Sequence, residues 1–435
     1  MIKVEKSSLR ISPKRTVEKV RVLTTSDLLY PDSIRGDDSF APAIHELVVN
    51  GLLSFAEETR FEFGRLNILV GPNGSGKSNL LDCIRVFRHT PFDVQDVFRD
   101  SGFEDWIYKG RDAKSETAFL QITATIADHE ERIRHQMRLG PSIRSRAPLE
   151  ESISKVGPKG SDTEFYFVGG YHGNATLYTQ SSGARKRERA LSDKEYDAYQ
   201  SILSQIRDAG QYPEITGLAN LFSSLRIYSE WSFGRNSTLR EATPSSRSSV
   251  TLSESMDDLA LVLNGLEKTS AHDQIRILLK DLKETYVDFV TRILFGRVGL
   301  ELYEKPYDTS IPAKRLSDGT LRFLALAAIL LQPDPPPLIC LEEPELGMHP
   351  DMIRMVARML VDAASKTQII VSTHSEHLLS ALQNDFDVLF ASRPASTSSS
   401  PASARRWAAA SRSSSPTGRS GSSGSRSARV APAAR

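Results

Sequence analysis

Apolar positions follow two rhythms along this 435-residue chain, and the change from one to the other divides it. In residues 43–127 short apolar runs mark strands at 44–49 and 59–63, joined through Asn50-Gly51 and Ser54, and another at 118–126. Between them an apolar strand at 67–70 runs through a glycine-rich loop into a helical run at 79–84. From 128 to 255 the pattern breaks up. A basic polar stretch covers 138–159, strands are expected at 164–168 and 175–178, and a helix at 193–207. Helical spacing returns at 256–266 and from 272 to 294. Strands at 298–303, 338–341 and 368–372 then alternate with helices at 320–331 and 350–366. Strands alternating with helices predict an α/β fold around a parallel sheet. The expected divisions are an N-terminal extension (1–42), a first core half (43–127), a partly helical insertion (128–255), a second core half (256–390) and a tail (391–435).

Composition sharpens the ends more than the middle. With 39% hydrophobic and 25% charged residues the chain reads as globular. Its longest apolar run, 323–331, falls well short of the roughly 18 residues of a membrane helix. The first residues lack the apolar core of a signal peptide, so the cytoplasm is the expected compartment. The net charge of +1 hides an asymmetry: residues 391–435 hold eight arginines and no acid, leaving the rest at −7. That tail is 15 Ser and 11 Ala in 45 residues and reads as disordered, either native or the product of a frameshift. Cys83 and Cys340 read as small core residues rather than a disulfide.

The chemistry sits where strands end. Gly71-Pro72-Asn73-Gly74-Ser75-Gly76-Lys77-Ser78 has the spacing of a P-loop, whose glycines let backbone N–H groups surround a phosphate at a helix N-terminus. Lys77 is expected to reach the β- and γ-phosphates of ATP, and Ser78 to ligate Mg²⁺. The apolar strand 338–341 ends in Glu342-Glu343-Pro344-Glu345, a Walker B arrangement with Glu342 as metal ligand and Glu343 as general base. Leu316-Ser317-Asp318-Gly319 precedes a helix, so Ser317 and the Gly319 backbone are candidate phosphate contacts. His374, after the last apolar strand, is a candidate partner of the γ-phosphate or the attacking water.

In this order the four motifs resemble those of the ABC-type ATPases, in particular the SMC/RecF/OLD branch. The segments 49–55, 71–78 and 342–350 look like those of bacterial ATPases with AAA-type ATP-binding domains. The resemblance covers residues 43–127 and 256–390. It implies an ABC-ATPase-like head that dimerises on ATP, with Ser317 and Gly319 of one copy meeting the γ-phosphate held by Lys77 of the other. It makes His374 the switch histidine and sets His349 near the interface. It also implies a role in DNA maintenance or defence, with DNA or a separate effector protein as partner. Two departures stand out: Glu342 replaces the usual aspartate, and the Q-loop has only Gln95 and Gln121 as candidates. The alternatives are a transporter ATPase subunit with a separate membrane partner, and a nucleotide switch that does not hydrolyse.

Overall fold

The computed structural model describes residues 42–386 and 391–392, apart from 111–115, 127–130, 142, 144–145, 158–159, 172, 180–186, 232–233 and 248. The expected N-terminal extension and nearly all of the tail therefore lie outside the described residues.

The first half of the chain builds an antiparallel sheet and its first supporting helices. Strands β1 (Ile44–Asn50) and β2 (Thr59–Glu62) precede β3 (Leu66–Val70) and helix α1 (Lys77–His89). Then come β4 (Ala118–Thr125), β5 (Arg132–Leu139), β6 (Leu149–Val156), β7 (Asp162–Gly170), β8 (Gly173–Thr179) and β9 (Arg187–Leu191). All but β3 join one eight-stranded sheet in the order β2-β1-β4-β5-β6-β7-β8-β9. Much of the expected insertion is thus a continuation of this sheet, strand by strand. In β5 the alternation Ile133, His135, Met137, Leu139 faces the core and Arg132 and Arg138 face solvent, as a half-buried strand requires. The helix expected at 193–207 shrinks to the four-residue α2 (Ile202–Gln205). Its start is pinned because buried Glu151 accepts from the Ser201 hydroxyl at 2.5 Å and from Ile202 N–H at 2.8 Å. Helix α3 (Pro213–Ser224), with Pro at its first turn, then leads into β10 (Arg226–Tyr228).

The second half completes the parallel sheet. After β11 (Thr243–Pro244), helices α4 (Leu259–Leu266) and α5 (Ser270–Leu282) lead to the hairpin β12 (Tyr286–Leu294) and β13 (Arg297–Glu304), edged by β14 (Ile311–Pro312). The helical reading of 272–294 therefore holds only to Leu282. Apolar positions 286, 289, 290, 293 and 294 satisfy a helical period, but all except Leu294 are aromatic or β-branched, and the run ends at a Phe295-Gly296 turn with φ of 50° and 72°. Helix α6 (Asp318–Leu330), β15 (Leu338–Glu342), α7 (Pro350–Ala363), β16 (Gln368–Thr373) and α8 (Glu376–Phe386) follow. Finally β17 (Ala391–Ser392) pairs with β3, so the first two residues of the expected disordered tail are strand.

The parallel sheet runs β10-β15-β16-β3-β17. Its central strands are nearly continuous apolar runs because both faces are covered. Alternate residues feed two separate cores. Leu69, Leu338, Cys340 and Ile370 pack with α1, α3 and the inner face of the antiparallel sheet. Ile68, Ile339, Leu341, Ile369 and Val371 pack with α4 to α8 and the hairpin. Cys83 and Cys340 are free and fully buried, as expected, and burial pushes both thiols up.

Two buried amides brace the parallel sheet, and one of them ties it to the antiparallel sheet. The Gln368 side chain accepts from Ile44 N–H at 2.9 Å and donates to Ile44 O at 2.7 Å and Gly64 O at 2.8 Å. Asn67 accepts from Gly64 N–H at 2.8 Å and donates to Ile369 O at 3.0 Å. Neither is exposed, and each supplies partners to backbone groups that are closed off from water.

Candidate nucleotide site

Parallel register brings the candidate residues to one edge. Ser372 pairs with Leu69 and Glu342 with Ser372, so β3, β15 and β16 end together and their following loops share one crevice. The first loop, 71–76, needs its glycines. Gly74 and Gly76 have φ of 79° and 94°, and a Cβ on Gly71 would lie 2.5 Å from Ser75 Oγ. Gly76 is the N-cap of α1, with no capping side chain and no acid in the first turn. Those N–H groups are left for an anion. The Lys77 ammonium folds over the loop, donating to Gly71 O at 2.8 Å and Pro72 O at 3.2 Å. An exposed glycine loop, a bare helix N-terminus and a lysine bound only to carbonyls fit a triphosphate.

Walker B meets the loop directly. The Ser78 hydroxyl donates to Glu342 Oε1. Among the described residues no cluster of three or more His, Cys, Asp and Glu forms a metal site by itself. One hydroxyl and one carboxylate beside a phosphate loop nevertheless suit Mg²⁺, which keeps waters and takes its remaining ligands from phosphate. Burial and the nearby Glu342 charge push the Asp82 carboxyl on α1 up, while Arg85, 2.7 Å away, opposes the shift.

Glu343 follows at φ 45°, a left-handed conformation unusual for a non-glycine residue. Its N–H donates to Ser372 O at 2.8 Å, and this bond fixes the turn. The side chain is thereby aimed away from the strand, with Oε1 2.9 Å from His374 Nδ1. Both groups stay accessible, at 27% and 46% exposure. Glu345, which the sequence marks only as part of an acidic run, is buried and accepts from the Thr373 hydroxyl. Burial pushes its carboxyl up. That contact holds the segment carrying His374 against the Walker B turn.

Among the described residues, Ser317 and Gly319 make no side-chain hydrogen bond to this cluster. Ser317 caps α6, its hydroxyl accepting from Thr320 N–H at 3.1 Å. A Cβ on Gly319 would lie 3.5 Å from Gly347 O, in the turn after Walker B. His349 caps α7 and is 71% exposed. The two Q-loop candidates are engaged elsewhere. Gln95 bonds the backbone of Ala147 and Tyr199, and Gln121 bridges Glu46 and Gln136 across the antiparallel sheet. The strand beside Walker B is β10, which is followed by Ser229-Glu230-Trp231. Trp231 Nε1 donates to Glu342 O at 2.6 Å. A three-residue strand is too short to leave a periodic signal, so sequence spacing could not reveal this neighbour.

With this geometry in place, comparison with known proteins is informative. Residues 66–380 match the family described as "AAA domain, putative AbiEii toxin, Type IV TA system". The chain belongs to this AAA-domain family. An 87-residue segment is 31% identical to the chromosome partition protein Smc of Desulfitobacterium hafniense, covering 20% of this chain and 7% of that protein. Among solved structures, an Smc head bound to the C-winged helix domain of ScpA superposes with a TM-score of 0.50 at 15% identity, over 78% of this chain and 92% of that one. The SMC head domain from Thermotoga maritima gives 0.41 at 17% identity, with the same coverage. The chain is thus an AAA-domain P-loop protein with an SMC-head-like fold. No helix among its described residues is long and apolar enough to cross a membrane.

Proposed function

We propose that this chain binds and hydrolyses ATP with Mg²⁺, and that two copies close around two ATP molecules. The observation that carries the reading is the convergence of Lys77, Ser78, Glu342, Glu343 and His374 at one edge of the parallel sheet. Gly71 to Ser78 cradle the phosphates through backbone N–H groups, and Lys77 exchanges its loop carbonyls for phosphate oxygens. Ser78 and Glu342 hold Mg²⁺, which when bound neutralises charge on the β- and γ-phosphates. Glu343 accepts a proton from the attacking water, and His374 orients the Glu343 carboxylate. Ser317 and Gly319, which among the described residues make no side-chain hydrogen bond to the P-loop cluster, supply the second copy's half of the site. DNA maintenance or defence is the setting we favour, supported by the segment shared with the chromosome partition protein.

The test measures ATP turnover, with and without DNA, alongside mass by light scattering. Glu343→Gln is expected to lower kcat by about 10²–10⁴ while ATP still binds and dimers accumulate. Lys77→Ala is expected to abolish both binding and dimers. Turnover unchanged in both variants overturns the assignment of the site.

A further inference from the structure

Arg240 ends a short turn, Thr238–Arg240, capped by Ser237, far in sequence from any motif. Its side chain is nonetheless buried, and three of its four hydrogen bonds go to the signature segment or the residues leading into it. Nε donates to Gly234 O at 2.8 Å, and one terminal nitrogen donates to Ala313 O at 2.9 Å and Leu316 O at 2.7 Å. The other terminal nitrogen donates to Asp318 Oδ1. Four of five guanidinium N–H groups are thereby used. Gly234 N–H also donates to Asp318 Oδ1, at 3.1 Å.

The charge pattern gives this clamp a purpose. Asp318 sits between Ser317 and Gly319, the two residues assigned to phosphate in the proposed dimer, and its side chain is 52% exposed. A free carboxylate there would repel a triphosphate. We propose that Arg240 is a positioning residue for the signature loop: it fixes the backbone leading into Ser317 and holds the neutralised Asp318 carboxylate aside, so that Ser317 and Gly319 can meet the triphosphate held by a second copy of the chain. This inference rests on the dimeric reading above. A lysine could neutralise Asp318 but could not span the carbonyls of Gly234, Ala313 and Leu316.

The experiment uses the full chain and three readouts: affinity for a fluorescent ATP analogue, steady-state kcat and KM, and ATP-dependent dimer formation in the Glu343→Gln background. Arg240→Ala should bind the analogue like the unaltered chain, since the P-loop is untouched. Its dimers should be lost and its kcat should fall by about 100-fold, the scale of a misplaced catalytic group. Adding Asp318→Asn should restore part of the dimer, and Arg240→Lys should restore less than half of kcat. A purely structural role would move affinity and melting temperature together and would gain nothing from Asp318→Asn. Should Arg240→Ala fail to fold, Asp318→Arg sets two cations against each other at an exposed position and must also block dimers with analogue binding intact. Normal dimers in either single variant, or no recovery in the double variant, overturn the Arg240 assignment alone. An unaltered chain that binds no ATP, or stays monomeric with it, overturns the proposed function as well.

Discussion

At the scale of single residues, environment decides roles that identity leaves open. Glu342, Glu343 and Glu345 share one acidic run, yet one touches Ser78, one turns outward at positive φ toward His374, and one is buried under Thr373. The run was legible as Walker B from an apolar strand ending in acids, but the split between Glu343 and Glu345 was not, because burial depends on the neighbouring strand. His45 shows the same dependence. Burial, with Arg132 nearby, lowers its pKa to about 4, while Nε2 lies 2.8 Å from Thr125 Oγ1. The folded state therefore binds fewer protons than the unfolded one between about pH 4 and 6.5, and stability is lost as pH falls through that window. His45→Gln is expected to remove that loss, about 1–2 kcal/mol after allowing for partial exposure. Urea denaturation at pH 7 and pH 4.5 measures it; an unchanged pH dependence sinks the idea.

At the scale of elements, strands with a single unambiguous pattern were readable and those with competing patterns were not. The buried strands β3, β15 and β16 announce themselves as apolar runs followed by loop chemistry. Strand β12 carries spacing that also suits a helix, and only its β-branched content and the Phe295-Gly296 turn break the tie. Strand β5 alternates clearly but puts His135 at a core position. Its partner is on β6: His135 Nε2 and Glu151 Oε1 are 2.5 Å apart and both side chains are fully buried. His135 also stacks on Phe222 of α3 and meets Phe87 of α1 edge-on, so this pair ties the antiparallel sheet to the helices beneath it. Removing one partner strands a buried polar group. Glu151→Ala is expected to cost about 3–5 kcal/mol, since it also orphans the Ser201 hydroxyl and Ile202 N–H, whereas Glu151→Gln combined with His135→Leu, in which the amide oxygen still accepts from α2, should cost less. Thermal or urea melts of the two variants decide it, and equal losses would show the pair carries no coupling.

At the scale of the whole molecule, the parallel sheet is a wall common to two cores, and Gln368 is its staple to the antiparallel sheet. Both cores should therefore melt in a single transition. Gln368→Leu removes the side-chain partner of the Ile44 N–H and the Ile44 carbonyl, while Gly64 O keeps the Asn67 amide, at about 1–3 kcal/mol for each orphaned group. We expect it to lower stability by both of these increments and to broaden or split the calorimetric transition. A sharp transition at the original temperature would show the amide is dispensable.

The shared register of β15, β16 and β3 also works as a ruler. Adjacent strands lie about 4.8 Å apart, so β15 and β3 are separated by about 10 Å, with β16 between them. Ser78 and Glu342 meet across that gap by reaching over the end of the middle strand, where Thr373 and His374 emerge. The histidine segment is therefore the floor of the crevice rather than one of its walls. A one-residue insertion in β16 would move that floor and also exchange the core that each following residue feeds, so the register of this strand ties the height of the crevice floor to the packing of both cores.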